Sequence, residues 1–334
     1  LPEIRIRRTR PSPAGMTNAP VILFSSLSAK ISLYEQVLRG ARRFHPQAKL
    51  VGSDSNPNCP AAAKVETFTE MPPLDTLDKD GLLGFCAELG ITHVIPTRDG
   101  ELDFWARNRD TLHERGVSVM VSSQEAVETC LDKLLFHNQM KSASIPPIPT
   151  VKNADELGAE RFVAKERNGS ASCSIGLDLD AKEASVHALN LQNPIFQPML
   201  KGPEFSAETW IDARGKCHGM VLRWRTKIVD GEAHESEIFD KPDWERRMRD
   251  TFESLPGLSG HALAQVIVSD DQSLSLVEIN ARLGGASPLA LSADLHSIEW
   301  FLLQTEKREC EIPESPVTNK NLRLSKINGE AIIS

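Results

Sequence analysis

Residues 261–285 contain two apolar segments that favour β-strands, separated by the polar turn 269–273. This pattern predicts an antiparallel hairpin. Because the side chains of a strand alternate between its two faces, Glu278 and Asn280 point the same way. Gln265 can face them from the partner strand. The hairpin therefore brings one carboxylate and two amide groups to one face of a sheet.

That set of oxygen donors is typical of a site for a hard cation, and we predict that Gln265, Glu278 and Asn280 bind Mg²⁺ or Mn²⁺. Arg282 continues the same face, just before a Gly-Gly pair that lets a ligand approach the backbone. Its guanidinium can bind the phosphates that share the cation. The alternative is an exposed hairpin whose outer face is merely polar, and a motif this short leaves that alternative open.

Two lysines lie close to a loop of small residues, 168–176. Lys165 ends the apolar strand before this loop, so its ammonium can reach a phosphate while the loop, with Ser170 and Ser172, supplies further donors. Lys133, in the first turn of a predicted helix, can reach the same phosphates. A cation is unfavourable at that end of a helix and needs another reason to be there. The alternative for Lys165 is a solvated lysine at a strand edge, and the alternative for Lys133 is a solvated lysine on a helix.

Three cationic residues, Arg223, Arg225 and Lys227, alternate along a later strand. Alternation predicts that they project from one face, where they can bind a phosphate or a substrate carboxylate. Arg225 is the favoured candidate for a catalytic role. The alternative is a solvated edge strand whose charged side chains prevent it from pairing with another chain.

Two further segments are candidates for binding an anion. Ser287 and Pro288 suit the N-cap and the first position of a helix predicted at 288–303, and the start of that helix can hold a substrate carboxylate. Plain helix capping is the alternative. Residues 97–101 follow the carboxyl end of a predicted strand, where open α/β sheets bind ligands, and are a candidate substrate pocket.

Four motifs recur along the chain in one order. They are Leu131–Lys133 followed by Ile145–Pro147, Phe162–Lys165 before the small-residue loop, Phe196–Glu204, and the run from Glu278 to Arg282. Together they resemble the ATP-grasp superfamily, in the branch similar to carbamoyl-phosphate synthase and PurK-like ligases, over roughly residues 20–303. The loop is poorer in glycine than in the family, Pro198 takes a position that is often acidic, and Ala281 replaces a proline.

The resemblance implies how ATP is bound. The adenine would lie against the apolar side chains of residues 196–200 and bond to backbone groups of Gln197 and Met199. Glu204, seven residues past Gln197, would bind the ribose hydroxyls. The implied fold is α/β plus α+β: an N-terminal Rossmann-like pre-ATP-grasp domain, followed by two antiparallel-sheet lobes that clamp ATP.

The secondary-structure pattern changes along the chain. Strands and helices alternate up to residue 121, which predicts a doubly wound parallel sheet. The first crossover, 25–30, has no glycine, so an NAD site is not expected. From residue 151 short strands with turns between them predict an α+β region. We expect a disordered tail at 1–16, the pre-ATP-grasp domain at 17–121, the small lobe with a helical linker at 122–200, the C-terminal lobe at 201–310 and a C-terminal tail at 311–334.

Composition narrows the class of protein. A chain of 334 residues with 40% hydrophobic and 25% charged residues suits a soluble protein of two or three domains. No apolar stretch approaches the ~20 residues that cross a bilayer, and residues 1–15 lack the apolar segment of a secretory signal. A net charge of −8 argues against general affinity for nucleic acid or acidic membranes. The six scattered cysteines predict reduced thiols in the cytoplasm and no zinc site.

The resemblance implies an ATP- and Mg²⁺-dependent ligase that joins a small carboxylate, such as an amino acid, to an amine or thiol through an acyl phosphate. Its expected partners are small molecules, with a homodimer as an option. Two alternatives stay open. One is a kinase-like enzyme that stops at phosphoryl transfer. The other is a regulatory module that binds ATP without catalysis.

Overall fold

The computed structural model describes residues 19–169, 174–313, 321–327 and 329–334. The expected tail at 1–16 and the loop residues Ser170 and Ser172 lie outside these ranges. The described residues form three β-sheets with helices packed against them. In this part of the chain no helix is both long enough and apolar enough to span a membrane. The cysteines at positions 59, 86, 130, 217 and 310 are free thiols.

The N-terminal domain is built on a parallel five-stranded sheet. Its strands are β1 (Val21–Phe24), β2 (Lys49–Asp54), β3 (Phe68–Glu70), β4 (His93–Ile95) and β5 (Ser118–Val119). Its helices are α1 (Ile31–Phe44), α2 (Lys79–Glu88) and α3 (Asp99–His113). The strand order is β3-β2-β1-β4-β5, and every pairing is parallel. The alternation of strands and helices predicts this sheet correctly, because each crossover carries an apolar face that must be buried on it.

A small antiparallel sheet follows a helical segment. The helices are α4 (Gln124–Leu131) and α5 (Lys133–Met140), and α6 (Ala181–Ala188) packs on the sheet itself. The strands are β6 (Phe162–Glu166), β7 (Gly176–Leu179) and β8 (Pro194–Pro198). β6 is central and pairs with both neighbours. Lys165 therefore lies in the middle strand of the sheet rather than at its edge.

The large sheet is antiparallel and has seven strands. They are β9 (Glu204–Ile211), β10 (Cys217–Val229), β11 (Glu232–Phe239), β12 (Gly260–Val268), β13 (Leu274–Asn280), β14 (Arg323–Ile327) and β15 (Glu330–Ile333). Their order is β13-β12-β9-β10-β11-β14-β15, and α7 (Pro242–Glu253) packs on the sheet. The predicted hairpin 261–285 is present as β12 and β13.

The end of the chain is not a tail in the part that the structure describes. β14 pairs with β11, and the β14–β15 hairpin extends the large sheet. The hairpin also contacts the N-terminal domain: Ala331 N donates to Ser32 Oγ at 3.0 Å, and Lys64 Nζ lies 2.6 Å from Glu330 Oε1. The expectation of a tail is wrong here because these short strands obtain their stability from pairing with β11, which local sequence does not reveal.

The helix expected at 288–303 is also wrong, since two helices occupy this region. They are α8 (Ser287–Ser292) and α9 (Ser297–Thr305), and Asp294 between them has a φ of +67°, which no α-helix continues through. The break lets α9 pack closely on α1. A Cβ added to Gly40 of α1 would lie 2.8 Å from Ile298 Cβ, so glycine is needed there. One hydrophobic core therefore joins the N-terminal domain to the C-terminal region.

Candidate functional site

The candidate cation site lies on one face of the large sheet, where β12 and β13 pair. Gln265 stands directly opposite Glu278 in the strand register, and Asn280 follows two residues later. The amides of Gln265 and Asn280 each donate to Oε1 of Glu278, at 2.8 Å. All three side chains are half-buried. The structure thus brings together the three residues that the hairpin pattern selects, and their role as cation ligands stays a prediction.

The donor set limits which cation would fit. Within the described ranges, no three His, Cys, Asp or Glu side chains converge where they could hold a metal ion. A cation on this face would therefore depend on one carboxylate, that of Glu278, with two amide oxygens beside it. Mg²⁺ fits such a set, because it takes few protein ligands, keeps several waters and shares itself with phosphates. A soft metal that prefers thiolate or imidazole does not fit.

Cationic side chains from four separate elements lie within electrostatic range of Glu278. They are Lys133 of α5, Lys165 of β6, Arg225 of β10 and Arg282 after β13. Other acids lie nearby as well, since Asp99, Asp132 and Glu166 are within range of Lys133. The two arginines pair with acids, as described next, whereas neither lysine forms an ion pair among the described residues, so both ammonium groups can bind a polyphosphate.

The two lysines are desolvated. Burial lowers the pKa of Lys165 to about 8; the charge of Glu278 opposes this shift and that of Lys133 adds to it. Burial likewise lowers the pKa of Lys133, whose Nζ donates to the carbonyl of Gly169 at 2.8 Å. A bound polyanion would stabilise two partly desolvated ammonium groups. Lys165 lies in the central strand of its sheet and both lysines are half-buried, so neither is a fully solvated lysine, and their role in binding phosphate stays a prediction.

Arg282 is held by the N-terminal domain. Its Nε donates to Asp99 Oδ1 at 2.6 Å and its Nη2 donates to Asp99 Oδ2, which makes a bidentate pair between residues 183 positions apart. Nη1 donates to the carbonyl of Leu283 at 3.0 Å. The guanidinium is thus fixed in orientation and keeps only part of its donor capacity for a phosphate.

Residues 97–101 mainly build the contact between the N-terminal domain and the segment after β13. Asp99 is the partner of Arg282. Glu101 is fully buried and accepts hydrogen bonds from Ser25 Oγ, Trp105 Nε1 and the backbone N–H groups of residues 97 and 98. These two acids are therefore occupied within the protein and do not face a ligand, which corrects the expectation that the whole segment lines a substrate pocket.

The predicted adenine-binding strand is present as β8, but its polar groups are partly engaged. The side chain of Gln197 is buried, and its amide donates to Thr150 Oγ1 at 2.8 Å. The backbone N–H of Met199 donates to the carbonyl of Arg161 at 2.9 Å. Of the two backbone groups of Met199, the carbonyl therefore remains for an adenine, and binding of the base here stays a prediction.

Glu204 and Arg225 form a pair beside this strand. Arg225 Nε lies 3.2 Å from Glu204 Oε2, and Arg225 Nη2 donates to the carbonyl of Gly231 at 2.7 Å. Arg225 is almost fully buried, whereas 30% of the Glu204 side chain remains exposed. A half-exposed carboxylate held in place by a buried arginine is suited to accept hydrogen bonds from hydroxyl groups.

The expectation of one common cationic face for residues 223, 225 and 227 is wrong. Arg223 is 2% exposed and donates from Nε to Glu208 Oε1 at 2.7 Å, whereas Lys227 is 60% exposed and lies 3.7 Å from Glu235 Oε1. The pairing of β10 with β11 shifts its register between Arg225 and Lys227. Such an irregularity interrupts the strict alternation on which the prediction depended.

The predicted anion site at the start of helix 288–303 is not formed as expected. α8 begins at Ser287, its N-cap is Ala286, and the helix has six residues. Ser287 is fully buried, and its Oγ accepts from the backbone N–H of Gly284 at 2.7 Å. The hydroxyl therefore fixes the turn after Arg282 instead of capping a helix that faces a ligand.

Residues 130–286 match the ATP-grasp domain family. Solved structures agree. The biotin carboxylase domain of the Hydrogenobacter thermophilus 2-oxoglutarate carboxylase, in complex with MgADP, ADP and bicarbonate, matches with a TM-score of 0.71 and 13% identity, over 91% of this chain and 73% of that one. N5-carboxyaminoimidazole synthetase from Staphylococcus aureus, complexed with ADP, matches with a TM-score of 0.71 and 15% identity, over 92% of this chain and 82% of that one. The L-amino acid ligase of Bacillus licheniformis matches with a TM-score of 0.67 and 15% identity, over 91% of this chain and 78% of that one.

Residues 130–286, a little under half of the chain, thus match an ATP-grasp domain, and the solved structures extend the similarity of fold over most of the chain. The expected fold is confirmed, with a parallel-sheet domain before two antiparallel sheets. At these sequence identities the solved structures establish the fold and leave the substrate open. No curated protein matches the chain by sequence.

One charged network of this ATP-grasp domain consists of residues that lie outside the four sequence motifs. Glu208 of β9 is fully buried and has two partners, with Oε1 accepting from Arg223 Nε at 2.7 Å and Oε2 lying 3.0 Å from His261 Nε2. His261 Nε2 also lies 3.4 Å from Ser287 Oγ. Burial by itself raises the pKa of Glu208, but Arg223 and His261 outweigh it and lower the pKa to about 2. The network connects the centre of the sheet with the turn after Arg282.

We expect Glu208→Ala to destabilise the protein by about 3–5 kcal/mol, because it leaves Arg223 buried without its carboxylate. Urea unfolding measures this loss. Glu235→Ala, which breaks the exposed pair with Lys227, serves as the control and should change stability by less than about 1 kcal/mol. Since the pKa of Glu208 is depressed, its contribution is present above the ordinary value of 4.5 and is lost as the pH falls toward about 2. Equal stability of the two variants would contradict the assignment.

Proposed function

We propose that this protein is an ATP- and Mg²⁺-dependent ligase that activates a small carboxylate as an acyl phosphate and transfers the acyl group to an amine or a thiol. The observation that carries the proposal is the convergence of Glu278, Gln265 and Asn280 with Lys165 and Lys133 between the two antiparallel sheets. Oxygen donors suited to a hard cation and desolvated ammonium groups together match a magnesium–polyphosphate ligand.

The ATP orientation follows from the surrounding groups. Lys165 and Lys133 would bind the phosphates, and Glu278 would hold the cation that accompanies them. Glu204, fixed by Arg225, would accept hydrogen bonds from the ribose. The base would lie against the apolar β8. Ligand complexes with ADP in the Staphylococcus aureus synthetase and MgADP in the Hydrogenobacter thermophilus domain support this assignment, which here rests on the residues of this chain.

Catalysis in this arrangement is mostly positioning. Bound Mg²⁺ would supply electrostatic neutralisation of the phosphate oxygens. Lys165 and the outward N–H groups of Arg282 would stabilise the charge that develops as the phosphoryl group passes to the carboxylate. Asp99 keeps Arg282 in one orientation, so no reorganisation is needed during transfer. The acyl phosphate then reacts with the nucleophile, and inorganic phosphate leaves.

We expect a carboxylate to trigger ADP release, and hydroxylamine to intercept the acyl phosphate as a hydroxamate. The experiment screens pooled amino acids and other small carboxylates with Mg²⁺ and ATP, using Glu278→Ala as the blank. A hydroxamate formed by the unchanged protein and absent from the blank supports the ligase. ADP release with a phosphorylated alcohol and no hydroxamate would instead identify a kinase-like enzyme. Tight ATP binding with no turnover in any pool would favour a regulatory module.

A further inference from the structure

Lys30, between β1 and α1, is a cation that lacks an anionic partner among the described residues. Its Nζ donates to the carbonyl of Ser26 at 2.6 Å. Burial lowers its pKa; Glu101 and Asp54 oppose this shift from a distance, while Arg282 and Arg98 add to it. The folded protein therefore holds this ammonium where both desolvation and neighbouring cations disfavour its charge.

Local helix chemistry also disfavours a lysine at this position. Lys30 is the N-cap residue of α1, and its side chain makes no capping hydrogen bond. N-caps are usually Ser, Thr, Asp or Asn, and a positive charge at a helix N-terminus is unfavourable. Neither capping nor ion pairing accounts for Lys30, so a ligand of opposite charge is the remaining source of stabilisation.

The loop before Lys30 is fixed in an unusual conformation. Ser26 and Ser28 are non-glycine residues with φ of +55° and +49°. Asp54 Oδ2 accepts from the N–H of Ser28 at 2.8 Å, and Thr97 Oγ1 donates to the carbonyl of Ser25 at 2.6 Å. Such conformations persist where surrounding bonds enforce them, and they cluster at ligand-binding sites. The loop thus holds Lys30 in one place.

Lys30 lies at the junction of three parts of the molecule. Thr97, which bonds the loop before Lys30 through the carbonyl of Ser25, lies two residues before Asp99, and Asp99 holds Arg282 by a bidentate pair. These bonds connect the loop of Lys30 with Arg282 and the candidate phosphate site. Glu232 of β11 is within range of Lys30 and accepts from Lys326 of the C-terminal hairpin at 2.5 Å. Ser28, Arg98, Glu232 and Gly285 are exposed, so solvent and small molecules reach this junction.

We propose that Lys30 binds an oxyanion group, a carboxylate or a phosphate ester, of the second substrate. This inference rests on the proposed ligase function, because it assigns Lys30 to the carboxylate substrate that receives the phosphoryl group. Nucleotide binding does not depend on it. Lys30 is supplied by the N-terminal domain, which gives that domain a direct part in substrate recognition besides fixing Arg282 through Asp99.

Protection of Lys30 from acetylation tests anion binding without requiring turnover. The full-length protein is treated with trace acetic anhydride, and peptide mass spectrometry follows Lys30 and the exposed Lys49. Malonate and inorganic phosphate are the two probes, with chloride at equal ionic strength as the blank. We expect at least one probe to slow acetylation of Lys30 saturably, by about tenfold, with Lys49 unchanged. Protection by malonate alone indicates a carboxylate, and protection by phosphate alone a phosphate ester. Equal rates at Lys30 in both probes and chloride would overturn the proposal.

Substitutions then place Lys30 in the reaction. In the hydroxamate assay Lys30→Met should raise KM for the carboxylate about 10- to 100-fold, leave KM for ATP unchanged, and be partly rescued by Lys30→Arg. Lys49→Met is the matched control. An unchanged KM for the carboxylate in Lys30→Met contradicts the proposal even if the ligase reaction is real. Conversely, if a probe protects Lys30 but the protein forms no hydroxamate, the anion site is real and the ligase function is wrong.

Discussion

In EDTA, Glu278→Ala is expected to bind ATP at least as tightly as the unchanged protein, and in Mg²⁺ it is expected to lose the advantage that the metal confers. Without a cation the Glu278 carboxylate repels the phosphates that the nearby lysines attract. With Mg²⁺ the same carboxylate becomes the principal protein ligand. The ratio of Kd in EDTA to Kd in Mg²⁺ should therefore fall from about tenfold or more to near unity.

Calorimetric titration of ATP, with Mg²⁺ and with EDTA, measures this ratio directly. Glu160→Ala is a suitable control, since Glu160 is exposed in the small lobe. Hydroxamate formation by Glu278→Ala should decrease about 100-fold or more, while that of Glu160→Ala stays at the original level. If both proteins bound ATP with the same dependence on Mg²⁺, the cation would have to be held elsewhere.

Lys165→Met is expected to weaken ATP binding about 10- to 100-fold at neutral pH, because it removes a desolvated ammonium from the candidate phosphate site. Lys141→Met, at an exposed lysine just beyond α5, should have no effect. Unfolding midpoints of both variants show whether the fold is retained. Equal ATP affinity of the unchanged protein and Lys165→Met would place this lysine outside the site.

The lowered pKa of Lys165 adds a pH dependence with a defined sign. Binding of phosphate requires the protonated amine, and the pKa is about 8 in the absence of nucleotide. Below that value this residue contributes no pH dependence. Above it, ATP affinity should fall by up to about tenfold per pH unit, since binding must be accompanied by proton uptake. Lys165→Arg should abolish this decrease, because a guanidinium stays protonated throughout the range.

Features that depend on neighbouring residues in the chain were predictable. Apolar residues at positions 31, 33, 37, 38, 41 and 44 recur at the period of a helix and predict one over 31–44, and α1 has these bounds. The hairpin of β12 and β13 is equally local: alternation along two strands, joined by a short turn, places Gln265 opposite Glu278. The order of four short motifs was then enough to identify the ATP-grasp fold.

Predictions failed where a local rule met a tertiary constraint. Alternation predicted a common face for Arg225 and Lys227, but a register shift in the pairing of β10 separates them. Apolar periodicity predicted one helix at 288–303, but Asp294 divides it so that α9 can pack against Gly40 of α1. In both places the local pattern is intact, and contacts with another element decide the outcome.

The sequence by itself determined which residues of the hairpin share a face, because side-chain direction in a strand follows from residue parity. The tertiary structure alone decided which charges are neutralised. Asp99 and Arg282 are 183 residues apart, Glu208 meets Arg223 and His261 from two other strands, and Lys30 has no ion-pair partner in the part of the chain that the structure describes. An ion pair needs only that two charged groups meet within a few ångströms, whatever their separation along the chain. No local pattern records such a meeting, so the folding of distant segments onto one another had to supply it.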